Sequence, residues 1–379
     1  MSVIFSASEV GSARALIPLF GYCTKQGMQF LVIRRGYFAI SQVCDEYPSL
    51  ASCPREDEEI VAWLVDVGAS LVVFSVNVKD QHPLKVARAA SLLGLPTIHV
   101  LDYWNGYSSR MNLDGLGTFV PTIYTVPDEY AANKARLEGI DSQIISVTGQ
   151  PAFYDLLESF QHAGDIPREH LAKKLGLPVD NEWVLFVAEP VAADQGRSLS
   201  ENSNFRGYVE EDALSILIKA LELARRKISV CVLPHPRQDI EQLQGVWSKL
   251  GGEPYGRVIS GIRGRELLPF VVGTAGMAST LLYESWVTGV PVASIQPGLL
   301  TDSMRMLKGR DNVTFVDRRE GAIEVVKKWI VNLSIDTKNR EFLDDILMHQ
   351  IAPENIYRLV TRSINDARAK KETTKVDLL

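Results

Sequence analysis

The chain has 379 residues, a formal charge of −6, 46% hydrophobic and 23% charged side chains, and four cysteines. That length exceeds one ordinary core and predicts two domains of roughly 150 to 200 residues each, and no window approaches the ~18 uninterrupted apolar residues of a membrane span. The acidic balance argues against a nucleic-acid surface, because lysines and arginines are scattered among as many acids rather than gathered on a basic face.

Cys23, Cys44, Cys53 and Cys231 show neither a C-x-x-C spacing nor a pairing pattern, so no zinc site or disulfide framework is expected and a reducing cytoplasm is the simplest location. The chain enters a strand at once, without a basic n-region or cleavage site. Asn332-Leu333-Ser334 is a glycosylation sequon by pattern alone.

Residues 3–5 read as a strand, 6–12 as a small-residue turn and 13–19 as the apolar start of a helix. Strands at 30–33, 71–74, 97–101, 121–126 and 144–147 follow, with helices at 60–67 and 84–93 between them. Strands separated by helices predict a parallel, doubly wound sheet. The pattern loosens after Thr148-Gly149-Gln150-Pro151, runs through a charged helix-like segment to 177–181, and restarts with a strand at 183–188, a long polar loop at 189–211 and a helix at 212–226. A strand at 228–233 then leads through Pro234-His235-Pro236-Arg237 into a helix ending at Leu250, and a strand at 258–259 follows. From Val271 a strand runs into Gly273-Thr274-Ala275-Gly276, a helix opens near Ala278, and a buried strand ends at Ile295. A strand at 312–316, helices at 322–331 and 353–367, and a charged, frayed tail at 369–379 complete the chain. The expected architecture is α/β, with two Rossmann-like doubly wound domains facing across a cleft: residues 1–152, a linker at 153–182, residues 183–350, and a last helix with its tail at 351–379.

Ligands of open parallel sheets bind outside the carboxyl ends of the strands, so residues at those ends are the candidates. The stretch from 271 to 295 carries the main one. A strand ending in Gly276 lets backbone approach a ligand, and the following helix offers free N–H groups and the positive end of its dipole to a phosphate near Ser279 and Thr280. Glu284 lies on the same face about 6 Å further along the axis, a spacing that suits a ribose below a diphosphate. The competing reading is a glycine turn with Ser279 or Thr280 as an ordinary cap.

His235 is framed by two prolines after an apolar strand, and Arg237 offers a forked donor to a phosphate oxygen; a surface turn is the alternative. Gly11 and Ser12 open the first helix and admit a diphosphate or an acceptor hydroxyl, with Glu9 as a general base or simply a solvated glutamate. Asp102, next to Tyr103 and Trp104, is a second base candidate, and His99 ranks below it. In the loop at 189–211, Arg197, Arg206 and Tyr208 are candidate lid residues that close over a leaving diphosphate. His82-Pro83 lacks the following arginine and reads as a helix start. No metal motif, nucleophile elbow or Walker loop is present, so leaving-group charge falls to the helix dipole, His235 and arginines.

These motifs together resemble the GT-B glycosyltransferases and the related non-hydrolysing UDP-N-acetylglucosamine 2-epimerases. The resemblance is carried by Gly11-Ser12, the Val147 to Pro151 segment, Pro234-His235-Pro236-Arg237 and the Gly276 to Glu284 segment. The His-Pro turn and the Ser-Thr helix start are also similar to paired motifs of bacterial sialyltransferases, which hold a CMP phosphate. The resemblance implies a nucleotide in the C-terminal domain, with Ser279 and Thr280 at phosphate and Glu284 at ribose, and an acceptor or catalytic base from the N-terminal domain. It departs from the epimerases in one place: Glu189 to Asp194 stands where a His-Arg-Arg-Glu segment is expected.

The first functional expectation is a metal-independent cytoplasmic glycosyltransferase that uses a UDP- or CMP-activated sugar in polysaccharide, glycan or glycoside biosynthesis. A nucleotide-sugar 2-epimerase or hydrolase is the alternative, and a non-catalytic nucleotide-sugar-binding protein is the third reading. Expected partners are a nucleotide sugar and an acceptor, without a cofactor, a nucleic acid or a transmembrane segment; a homodimer is the assembly left open.

Overall fold

The computed structural model describes residues 2–40, 46–47, 49–50, 52–76, 80–113, 117–334 and 344–376. Cys44 lies outside the described residues. The chain divides into two compact units, one formed by residues 1–155 with 347–379 and the other by residues 156–346.

The first unit is built on a seven-stranded sheet. Its strands are β1 (Ser2–Ser6), β2 (Phe30–Ile33), β3 (Ser49–Leu50), β4 (Ala69–Phe74), β5 (Thr97–Val100), β8 (Ile123–Val126) and β9 (Ile145–Val147), in the order β3-β2-β1-β4-β5-β8-β9. Every pairing in it is parallel. A small antiparallel pair, β6 (Asn112–Leu113) and β7 (Gly117–Thr118), stands apart from it. The strands are short apolar runs because helices cover both faces of a parallel sheet. Phe5, Phe20 and Phe30 meet at centroid distances of 5.1 to 5.7 Å and anchor one face.

The second unit carries six parallel strands, β10 (Glu182–Val187), β11 (Ile228–Leu233), β12 (Gly256–Val258), β13 (Val271–Gly276), β14 (Val292–Ile295) and β15 (Val313–Val316), ordered β12-β11-β10-β13-β14-β15. Helix Glu210–Ala224 shows how its core is specified: Leu214, Leu217, Ile218 and Leu221 recur at helical spacing and all four are buried in one cluster. Both sheets thus have the expected α/β, Rossmann-like winding. In each, the strand order reverses beside the first strand, between β1 and β4 and between β10 and β13.

Two expectations about the chain's course are corrected. The stretch expected as a linker holds helices Leu156–Gly164 and Arg168–Leu175, both within the second unit. Arg168 fixes the latter by donating to the carbonyls of Phe270 at 2.9 Å and Asn181 at 2.7 Å, while its guanidinium lies 3.9 Å from the Trp183 ring centroid. The tail expected to fray from Ala369 is helical as far as it is described: helix Ala352–Val376 is continuous, and residues 377–379 lie outside the described residues. Ala, Arg, Lys and Glu, strong helix formers, fill residues 367–372, and Ile356 and Val360 bury the earlier part of the helix in the core of the first unit.

Candidate functional site

In the first unit Asp102 follows β5, and the structure assigns it a role other than a free base. Ser12 Oγ donates to its Oδ2 at 3.0 Å, and Arg110 Nη1 forms an ion pair with its Oδ1, both partners being less than a tenth exposed. Arg110 in turn donates to the Val76 carbonyl at 3.2 Å and to the carbonyl and side-chain oxygen of Asn105, each at 3.1 Å. Gln150 Nε2 donates to the carbonyls of Leu101 and Asp102. This network ties four segments together and engages both carboxylate oxygens of Asp102. Ser12, expected at a ligand, is fully buried within it, while Gly11 beside it is exposed.

Glu9 is the N-cap residue of helix Val10–Lys25, makes no side-chain capping bond and is half-buried. Trp104 is a core residue rather than a stacking platform: it is buried and its Nε1 donates to Asp128 Oδ2 at 2.8 Å. His99 is wedged between Phe74 and Tyr124 and fully buried, which holds its imidazole well below the usual histidine range and therefore neutral. His82 is the first residue of helix His82–Leu92, its Nε2 lying 2.9 Å from the Pro54 carbonyl. A cavity of about 920 Å³ in this unit lies among Pro96, Thr122, Ile145 and Leu359, at the amino ends of the strands rather than the carboxyl ends where ligands of such sheets bind.

In the second unit His235, Ser279, Thr280 and Glu284 are set by two neighbouring regions at the carboxyl edge of the sheet. Gly276 ends β13, where an added Cβ would stand 2.9 Å from the Val187 carbonyl, so the glycine is required by the close approach of β13 to β10. Ser279 caps helix Thr280–Val287 by accepting from the Leu281 N–H at 3.3 Å. Thr280 is half-buried in the first turn. One turn on, Glu284 is buried and accepts from Arg265 Nε at 2.6 Å and Nη2 at 3.2 Å.

His235 is half-buried, and its Nδ1 accepts from the Arg237 N–H at 3.1 Å. That bond fixes the neutral tautomer with the proton on Nε2, a donor suited to an oxyanion. Burial and the nearby Arg237 charge push its pKa down, which keeps it neutral. Arg237 itself is exposed and held by Asp194 through a forked pair at 2.9 and 2.8 Å.

In the long loop expected to supply a lid, Arg197 is exposed and the end at Gly207 and Tyr208 is packed down. The loop begins with helix Val191–Gln195, and at Gly207 (φ +99°) an added Cβ would fall 2.0 Å from the Gly298 carbonyl. Tyr208 is fully buried and donates to Gln296 Oε1 at 3.0 Å. Gln296 Nε2 donates to Ser294 Oγ, which donates to the Met277 carbonyl at 2.6 Å, so Tyr208 braces the turn before helix Thr280–Val287 from behind. Arg197 pairs with Glu211 at 2.6 Å, and the Arg206 carbonyl accepts from the Leu300 N–H at 2.9 Å.

Glu189, at the end of β10, was not among the expected site residues. Its Oε2 accepts from the Ala278 N–H at 2.7 Å, and the N–H groups of Met277 and Ser279 on either side favour the charged carboxylate. Burial nevertheless raises its pKa above the usual carboxylate value. The signal in sequence was an acid directly after an apolar strand, but its inward direction depends on the strand order.

Among the described residues no group of three or more His, Cys, Asp or Glu side chains is placed to hold a metal ion, and no helix is long and apolar enough to cross a membrane. No protein-family model matches the chain, nor does any curated protein. Solved structures do match. The UDP-GlcNAc 2-epimerase from Methanocaldococcus jannaschii is 12% identical, with a TM-score of 0.62 over 96% of this chain and 100% of that one. The Neisseria meningitidis UDP-GlcNAc 2-epimerase, solved bound to UDP-GlcNAc, is 14% identical with a TM-score of 0.61 over 96% and 100%. Anabaena HepE in complex with UDP is 14% identical with a TM-score of 0.58 over 99% and 100%. The chain shares their fold. At such identities the likeness describes architecture, and it agrees with the two Rossmann-like units expected from the sequence.

Proposed function

We propose that this chain is an enzyme acting on a nucleotide sugar, and that its reaction is epimerisation at C2 of a UDP-N-acetylhexosamine. The observation that carries the reading is the first turn of helix Thr280–Val287, set where the strand order reverses, in a fold shared with epimerases solved with UDP-GlcNAc. On this reading the diphosphate meets the N–H groups near Ser279 and Thr280, His235 Nε2–H donates to a phosphate oxygen, and Glu284 accepts from the ribose hydroxyls. The nucleotide is eliminated and re-added, its developing charge resting on these donors rather than on a metal. Glu9 is the carboxylate proposed as base, because Asp102 is tied to Arg110.

Transfer of the sugar to an acceptor, from a UDP or CMP donor, is the second reading. It is favoured by Glu189 to Asp194 standing where the epimerase resemblance calls for His-Arg-Arg-Glu. Incubation with UDP-GlcNAc in D2O without acceptor separates the two. Epimerisation is expected to yield the C2 epimer carrying deuterium at C2, followed by proton NMR. No epimer and no deuterium, with UDP released only when an acceptor glycan is supplied, would overturn it in favour of transfer.

A further inference from the structure

The carboxylate of Glu189 already occupies the donors that the nucleotide reading assigns to a phosphate. It lies two residues beyond β10 and accepts from the Ala278 N–H, with the Met277 and Ser279 N–H groups beside it favouring its charge, where the strand order reverses between β10 and β13. These N–H groups stand at and just before the N-cap of helix Thr280–Val287, at the positive end of its dipole, and the same features bind phosphate. A carboxylate and a phosphate oxygen cannot both accept the same hydrogens. We propose that Glu189 is a displaceable internal anion that fills this cradle when no nucleotide is bound, and that a diphosphate enters by exchanging with it. The inference rests on the nucleotide reading above and adds a residue that sets its affinity.

Helix Thr280–Val287 does not need Glu189 as its cap, because Ser279 Oγ already accepts from the Leu281 N–H. The turn is also braced independently from behind by Ser294, Gln296 and Tyr208. Backbone donors so fixed remain aimed when their acceptor leaves, so exchange costs no refolding of the site.

The charged and titratable groups around Glu189 set the protonation state it adopts once expelled. Arg206 acts on it with an attractive charge, and Tyr208 lies on the same loop. On the helix that succeeds β10, Asp194 is held by Arg237, which neighbours His235 at the end of β11, and Glu210 accepts from the Ala192 N–H at 2.8 Å. Burial already raises the Glu189 pKa with the Ala278 N–H bonded and the neighbouring N–H groups favouring the charge. Once these turn to a diphosphate, the carboxylate loses its stabilising bonds and gains a negative neighbour, so it takes up a proton. Nucleotide binding is then linked to proton uptake and weakens as pH rises.

Calorimetric titration of the full chain, Glu189→Gln and Glu189→Ala with UDP-GlcNAc and with inorganic pyrophosphate, at about pH 6 and about pH 8, tests this. The esterified diphosphate of UDP-GlcNAc does not titrate in that range. Both variants are expected to bind UDP-GlcNAc about tenfold or more tightly than the wild type, and only the wild type should weaken at the higher pH. Equal affinity of all three forms, without pH dependence, overturns the inference and leaves the nucleotide reading standing. Tighter pyrophosphate binding by the variants without any UDP-GlcNAc binding upholds the inference and overturns the nucleotide reading; binding of neither ligand by any form overturns both. Should Glu189→Ala fail to fold, Glu189→Gln, which keeps the shape of the side chain, carries the test.

Discussion

Asp102 and Glu189 are both carboxylates drawn to the first turn of a helix, one in each unit, and they are neutralised by different means. Asp102 faces a full positive charge, Arg110, inside a network in which Ser12, Asn105 and Gln150 also take part. Glu189 faces backbone dipoles and the charge of Arg206 without a paired cation, and burial outweighs both enough to raise its pKa. A guanidinium brings its own desolvation cost, so neither member of such a pair leaves readily without stranding the other. Backbone N–H groups are spent in place and accept any anion of suitable size. The first arrangement is therefore a structural lock, and the second an exchangeable site.

The largest expected effect breaks the lock. Arg110→Ala leaves Asp102 buried without its counter-charge and is expected to destabilise the fold by about 3 to 5 kcal/mol, read as a lower urea midpoint. The double variant Arg110→Ala/Asp102→Ala should recover part of that loss. If Arg110→Ala unfolds at the wild-type midpoint, the pair is not the lock described.

A smaller effect sharpens the other side. Glu189's folded-state pKa lies above its unfolded value of about 4.3, so the native chain binds this proton more tightly than the unfolded chain. Its contribution to stability accordingly falls as pH rises from that value through the raised native one. Glu189→Gln removes the titration, and the stability of the variant relative to the wild type should rise with pH across that window. The change should stay below that of Arg110→Ala, because the backbone N–H groups and Arg206 oppose the burial. Urea unfolding of both proteins at a series of pH values measures it, and a constant difference between them would refute the assignment.

The alternation of strands and helices was legible because apolar runs such as Val271 to Gly276 and periodic ones such as Leu214 to Leu221 carry it locally. Two-residue pieces escaped: β3 and the β6–β7 pair are too short for any period to register. Helix Glu129–Leu137 was missed because its buried face is only Ala131, Ala132 and Ala135, although Asp128 supplies an N-cap by accepting from the Ala131 N–H. The return of the last helix to the first unit rests on contacts between distant residues, such as Asn355 Nδ2 donating to the Thr148 carbonyl at 3.2 Å, which no local pattern announces. At the site, placement of Asp102, His235 and Arg237 after strands and of Ser279 and Glu284 at a helix start could be read from the order of elements. The partners could not: Arg110 on Asp102, Asp194 on Arg237, Arg265 on Glu284 and Glu189 on Ala278 are placed by the winding of each sheet, and whether a strand-end acid meets water, an arginine or a helix terminus is decided there.

The smallest effect concerns a third carboxylate, which separates the two cases further. Asp194 holds Arg237 in a forked pair whose side chains are 39% and 60% exposed, so solvent screens it and the pair contributes little to folding. Asp194→Ala should change stability by less than about 0.5 kcal/mol, within the range of exposed pairs. It frees the Arg237 guanidinium two residues from His235, where a diphosphate is proposed to bind. Affinity for UDP-GlcNAc by calorimetry is then expected to rise about two- to fivefold, the equivalent of one screened charge contact. The gain should shrink as salt is raised, which distinguishes it from the Glu189 variants, whose effect arises from vacated backbone donors shielded from solvent ions. Unchanged affinity at low salt would place Arg237 outside the reach of the ligand and confine the phosphate contacts to His235 and the helix turn.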